Sequence, residues 1–167
     1  MNTERIEAQA RIDTPLGPLT LAATARGLAG AWFDAQSHHP GAIAAPVNPG
    51  HPHIALASRE FQRYWTMPTM HFTVPLDAQG TTFQHQVWQA LRAIAAGQTT
   101  SYGAIASQLG RPAAVRAVGA AVGRNPLSII VPCHRVLGHD GSLTGYAGGL
   151  PRKRALLTLE AAQAVLA

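Results

Sequence analysis

Apolar and polar positions nearly alternate in "RIDTPLGPLTLAAT" and "GLAGAWF", with turn signals at Pro15, Gly17, Pro18, Gly27 and Gly30. This pattern predicts short strands in a small sheet or hairpin pair. The period then disappears: "SHHPGAIAAPVNPGHPH", Ser37 to His53, is rich in Pro, Gly and His and reads as an exposed loop. "IALASREFQRYW" predicts a helix and "MHFTVPLD" a strand. Beyond Gly80 a helical period takes over. Thr81 and Gln84 have capping-box spacing, and Phe83, Val87, Trp88, Leu91 and Ile94 share one helical face up to Gly97. "PRKRALLTLEAAQAVLA" predicts a terminal helix with Pro151 at its start. No repeat interrupts this order. The expected fold is α+β: a small N-terminal antiparallel sheet region packed on a C-terminal helical domain. A composition shift at Asp77 to Gly80 divides a supporting region, 1–78, from a second one, 79–167.

"SYGAIASQLGRPAAVRAVGAAVG" predicts a short helix from Ser101 to Gln108, a turn at Leu109 to Arg111, and a second helix opened by Pro112. That is helix-turn-helix spacing. A helix that reads base edges carries several long polar side chains, whereas this second helix has only Arg116 among Ala, Val and Gly. Sequence-specific readout, and with it a transcription regulator, is disfavoured. Small residues let the backbone approach a duplex closely, with Arg116 as a probe or wedge; the alternative is helix packing with Arg116 in a surface ion pair.

Composition narrows the partners. The 167 residues are 47% apolar, enough for a sizeable interior. "MNTERIEAQARID" has no leader pattern and no apolar run is long enough to cross a bilayer, so a cytoplasmic protein without a membrane partner is expected. A formal charge of +5 favours a polyanion such as nucleic acid. Cys133 is the only cysteine, which rules out an internal disulfide, a resolving partner and a thiolate zinc site. His38, His39, His51 and His53 have no carboxylate or thiolate partner in their loop, so no metal site is expected there.

The lone thiol sits in "IIVPCHRVLG". A cysteine after an apolar run is commonly an inert buried hydrophobe; it becomes a nucleophile where a histidine accepts its proton and a third group orients that histidine. His134 is adjacent, but neighbouring side chains in a strand face opposite ways, so a partnership needs a turn after Pro132 or a bridging water. Glu160 falls within the apolar stripe of the last helix, four after Leu156 and three after Leu157. There it is either paired with an imidazole or reaching for solvent. Between them "HRVLGHDGSLTGYAGGLPRK" makes a glycine-rich loop suited to a flat ligand, and Lys153 opposes the dipole of the helix it begins.

"PCHRV", with "SYG", "RAVG", "GRNP", "TGY", "GGL" and the later glutamate, resembles the O6-alkylguanine-DNA alkyltransferases, also called methylated-DNA-protein-cysteine methyltransferases. The match is strong from about Gly80 to Glu160. The resemblance implies binding to the minor groove of duplex DNA, flipping of an O6-alkylguanine, with O4-alkylthymine as a second candidate, and a single irreversible transfer of the alkyl group to the protein. It implies Cys133 as acceptor, His134 as base through a water, Glu160 as the carboxylate that orients it, and Asn125 as a hinge. It further implies Arg116 entering the base stack, Tyr102 turning the nucleotide out, and DNA contacts at Thr100, Ser101 and Ala117. Tyr146, Val136, Ala147 and Gly148 would hold the guanine, with Lys153 supporting their loop. No cofactor and no metal are implied, and a monomer is expected. Departures at Ala95, Ala147 and Gly123-Arg124 bear on pocket size and alkyl range. The rivals are a binding-only relative that lacks the acceptor, against which Cys133 stands, and a cysteine hydrolase, which would turn over repeatedly.

Overall fold

The computed structural model describes residues 5–166. Three antiparallel strands, β1 (Ala8–Ile12), β2 (Leu19–Ala23) and β3 (Leu28–Phe33), form the N-terminal sheet in the order β1-β2-β3. Their pairing sets Ala10 opposite Leu21, and Leu21 opposite Ala31. β3 is buried along its whole length, as befits a strand covered on both faces. Helix α1 (Pro52–Tyr64) packs on the sheet and buries Ile54, Ala57, Phe61 and Tyr64. The mixture is α+β, as the chain's pattern predicts.

The predicted strand "MHFTVPLD" is absent; Leu76 makes only an isolated bridge to Leu28. Its backbone is engaged elsewhere. The buried Glu60 carboxylate on α1 accepts from the amides of Thr73 (2.7 Å) and Val74 (3.1 Å), and Pro75 has no N–H to give a ladder.

Helix α2 (Thr82–Arg92) begins at the predicted capping box: Thr81 Oγ1 accepts from the Gln84 amide at 3.2 Å and Gln84 Oε1 from the Thr81 amide at 2.9 Å. Val87, Trp88 and Leu91 are buried on it. It ends earlier than its apolar period, in a tightened turn at Ala93, so Ile94 packs on the core from outside the helix. The short strand β4 (Thr100–Ser101) leads into α3 (Tyr102–Gln108), capped by Ser101 Oγ on the Ala104 amide at 3.1 Å. A turn through Gly110 and a single 3₁₀ turn at Pro112–Ala114 precede α4 (Val115–Gly123). The second helix of the pair therefore begins three residues later than Pro112. Trp88 Nε1 donates to the Ala121 carbonyl at 2.9 Å and ties α4 to α2.

The chain then runs to β5 (Val136–Leu137), parallel to β4, and to α5 (Leu150–Leu166). Among the described residues no helix is long and apolar enough to cross a membrane.

Candidate active site

Two tight turns set the thiol. Pro132, at φ −81° and ψ 64°, has the geometry of an inverse γ-turn, closed by the Cys133 amide on the Val131 carbonyl at 2.8 Å. A 3₁₀ turn over Cys133–Arg135 follows. This is the departure from a strand that a cysteine and adjacent histidine require. Upstream, Ile129 has φ +73°, closed by the Ile130 amide on the Ser128 carbonyl at 2.9 Å. That is the rarer, mirror-image γ-turn, strained for a β-branched residue.

Asn125 holds both turns. Its Oδ1 accepts from the Leu127 amide at 2.9 Å, while Nδ2 donates to the Val131 carbonyl at 2.7 Å and to Cys133 Sγ at 3.2 Å. Burial pushes the thiol pKa up; the Asn125 hydrogen bond and the Lys153 charge oppose it. The thiol is thus neutral at rest, with two groups placed to favour its anion.

His134 and Glu160 are wholly buried and meet, Nε2 to Oε1, at 2.8 Å. The buried pairing, rather than the solvent-seeking alternative, is the arrangement adopted. Glu160 also accepts from Tyr64 Oη at 2.7 Å and from Arg135 Nε and Nη2 at 2.9 and 2.8 Å. Burial alone would raise its pKa, but the hydrogen bonds and charges of His134 and Arg135 overcome this and hold it down at about 2. An ionised carboxylate only accepts, so His134 Nε2 carries the hydrogen. Burial lowers the His134 pKa, against the pull of Glu160. The ring is therefore neutral and Nδ1, buried without a protein partner, presents a lone pair.

Cys133 lines a cleft of about 320 Å³ together with Tyr102, Gly119, Val122, Gly145, Tyr146 and Ala147. Its volume suits a flat heterocycle. Lys153, fully buried, donates from Nζ to the carbonyls of Val136, Thr144 (2.8 Å) and Gly145 (3.3 Å). It anchors the pocket loop, which explains a cation in the first turn of α5. Gly148 admits no side chain, because a Cβ there would stand 2.7 Å from the Tyr146 ring. Tyr102 Oη donates to the Thr144 carbonyl at 3.2 Å and closes the cleft toward α3.

The remaining candidates lie on the outside. Arg116 and Ala117 are exposed on α4, and Arg116 joins none of the ion pairs among the described residues. Thr100 and Ser101 are half-buried at the start of α3. Val136 is fully buried and is not among the residues that line the cleft. Among the described residues no group of three or more His, Cys, Asp or Glu is placed to hold a metal.

Sequence reading missed Arg135, Tyr64, and the pair Ser37 and His38 that also lines the cleft. Arg135 stood inside "PCHRV" and its buried neighbour Glu160 was the available clue. Tyr64 lies 96 positions from Glu160 and carried no local signal.

Residues 82–162 match the family described as 6-O-methylguanine DNA methyltransferase, DNA binding domain. A methylated-DNA-protein-cysteine methyltransferase of Mycobacterium tuberculosis is 48% identical over 153 residues, 92% of each chain. One of the same description from Salmonella typhimurium is 67% identical over 81 residues, covering 48% of this chain and 47% of its own. The crystal structure of Mycobacterium tuberculosis OGT in complex with DNA superposes with a TM-score of 0.86 at 46% identity, covering 93% of this chain and 94% of the other. The fold and these likenesses define a DNA-binding methyltransferase. The chain belongs to the methylated-DNA-protein-cysteine methyltransferases, enzymes of DNA repair by methyl transfer.

Proposed function

We propose that this protein repairs O6-alkylguanine in duplex DNA by moving the alkyl group, once and irreversibly, onto its own Cys133. The observation that carries the reading is the thiol on the cleft wall, backed by a neutral imidazole whose other nitrogen is fixed on an ionised carboxylate. His134 Nδ1 takes the thiol proton through a water, and the thiolate attacks the alkyl carbon as its bond to O6 breaks. The proton passes on to the departing guanine, so the reaction consumes no cofactor. The product is a thioether, which has no easy second step. Glu160 keeps the ring in the tautomer that accepts at Nδ1, and Lys153 favours the sulfur anion across the pocket loop.

DNA engages the protein from the minor groove through the α3 and α4 pair, which acts as a helix-turn-helix with small residues at the contact. Arg116 enters the stack where the target nucleotide leaves, Tyr102 helps turn it out, and Thr100, Ser101 and Ala117 contact the backbone. Asn125 is the hinge between this pair and the acceptor turn. Tyr146, Ala147 and Gly148 hold the base, over Val136. Residues 1–78 support and 79–167 react, in a cytoplasmic monomer.

The deciding experiment is an intact mass after mixing with duplex O6-methylguanine. A gain of one methylene, complete at one equivalent, is expected. Multiple turnovers would reveal a hydrolase, and tight binding without mass gain a binding-only relative; either would overturn the proposal. An O4-methylthymine duplex, run in parallel, asks the same of the second substrate.

Two further results are expected. Arg116→Ala should slow transfer from duplex DNA by about 100-fold or more while changing the reaction with free O6-methylguanine less than threefold, since only the duplex requires flipping. Equal losses on both substrates would remove that role. The single-turnover rate should stay level as pH falls from 8 past the ordinary imidazole range near 6.5 and drop only below it, because burial lowers the His134 pKa and the base is lost only when it protonates. A midpoint at or above the ordinary value would contradict this.

A further inference from the structure

Resting on Cys133 as acceptor, we propose that Ser37 and His38, in the loop after β3, determine which alkyl groups are accepted. In an in-line displacement the reacting carbon lies between Sγ and O6, so the rest of a longer alkyl chain must project sideways into a wall of the cleft. Besides Tyr102, held by its hydrogen bond to the Thr144 carbonyl, three walls are available. One is α4, through Gly119, Val122 and Gly123, fixed to the core by Val122 and by the Trp88 hydrogen bond.

The second wall is Gly145, Tyr146 and Ala147. It is pinned by Lys153 on the Thr144 and Gly145 carbonyls, and by Arg152, whose Nη1 donates to the Gly148 carbonyl at 2.9 Å while Nε holds the Leu16 carbonyl at 2.9 Å. The Arg152 guanidinium also stacks over the Phe33 ring at 4.5 Å. Neither of these walls can move without breaking side-chain hydrogen bonds to its backbone.

The third wall is Ser37 and His38, both exposed. The ties of their loop run through its backbone and through the buried Gln36: the Ser37 amide donates to the Ala147 carbonyl at 2.9 Å, and Gln36 Oε1 accepts from the Phe33 amide at 2.8 Å and from Ser128 Oγ at 3.0 Å, whereas among the described residues the Ser37 and His38 side chains make no hydrogen bond. Ala35 and His38 both sit in the left-handed region, at φ 57° and 60°, a conformation costly for residues with a Cβ. The two exposed side chains therefore line the cleft without bonds of their own, and they are the wall that yields to added bulk. A methyl group needs no such give; each further carbon does, and one methylene against a fixed pocket is worth about tenfold in rate or more.

The test compares single-turnover rates on duplexes carrying O6-butylguanine and O6-methylguanine, for the parent, His38→Gly and Ser37→Trp. His38→Gly removes the imidazole and suits the positive φ, and should raise the butyl-to-methyl ratio about tenfold. Ser37→Trp should lower it by a similar factor. A ratio within twofold of the parent's in either variant overturns the assignment. Absence of methyl transfer in the parent would instead overturn the reaction itself, so the two failures are distinct.

Discussion

Cys133→Ala, mixed with duplex O6-methylguanine, is expected to show no mass gain at any time while holding the DNA with a Kd within threefold of the parent's. The sulfur is the only thiol in the chain and the only nucleophile of its kind on the cleft wall. Its removal leaves the turn intact, because Asn125 still bridges the Leu127 amide and the Val131 carbonyl, so the stability loss should be only about 1 kcal/mol. On the proposed mode of binding, affinity comes from phosphate contacts remote from the thiol and should fall steeply with salt in parent and variant alike. Intact mass and fluorescence anisotropy on one sample measure both. A methylated variant would place the acceptor elsewhere.

Glu160→Gln should be damaging in two ways at once. The carboxylate answers Tyr64, His134 and both Arg135 nitrogens; an amide of the same shape presents a single acceptor oxygen and turns hydrogens toward donors. Arg135 is left as a buried charge without its counter-ion, a loss of about 3–5 kcal/mol, or roughly 10 °C in Tm. The transfer rate should also fall about 100-fold or more as the imidazole loses its fixed tautomer.

The pH dependence follows from the sign of the Glu160 shift. The folded-state pKa, about 2, lies below the ordinary carboxylate value, so its stabilisation is full above that value and is lost as pH falls toward 2. Acid unfolding of the parent should steepen over that window, and the variant should lack this component. Urea titrations at stepped pH provide the check. Parallel acid profiles would show that the pair contributes no linkage.

What the chain made legible was local. The capping box at Thr81 and Gln84, the apolar face through Val87, Trp88 and Leu91, and the small-residue helix around Arg116 are each written within a dozen positions. So was the need for a turn at Pro132, whose ring fixes φ where the thiol must leave the strand direction. What stayed hidden depends on distant partners. "MHFTVPLD" has the alternation of a strand, yet Glu60, thirteen positions earlier, takes its amides. Glu160 could be recognised as an oddity on an apolar face, but its choice between solvent and His134 was decided by Arg135 and by Tyr64 from another helix. Ser37 is held at the cleft by its bond to Ala147 and by the neighbouring Gln36 on Ser128, partners more than ninety positions away. No periodicity encodes such a contact.

The last strand of the N-terminal sheet does not stop at its own sheet. Ala31 donates to the Pro126 carbonyl at 2.8 Å and accepts from the Ser128 amide at 3.0 Å, so the strained segment leading to the thiol is in effect a fourth edge of that sheet. Protease cleavage between the halves, followed by separation, is therefore expected to cost the proposed transfer even though Cys133, His134 and Glu160 stay together: inheritance of the chemistry and of the scaffold that shapes its turn are split across the cut.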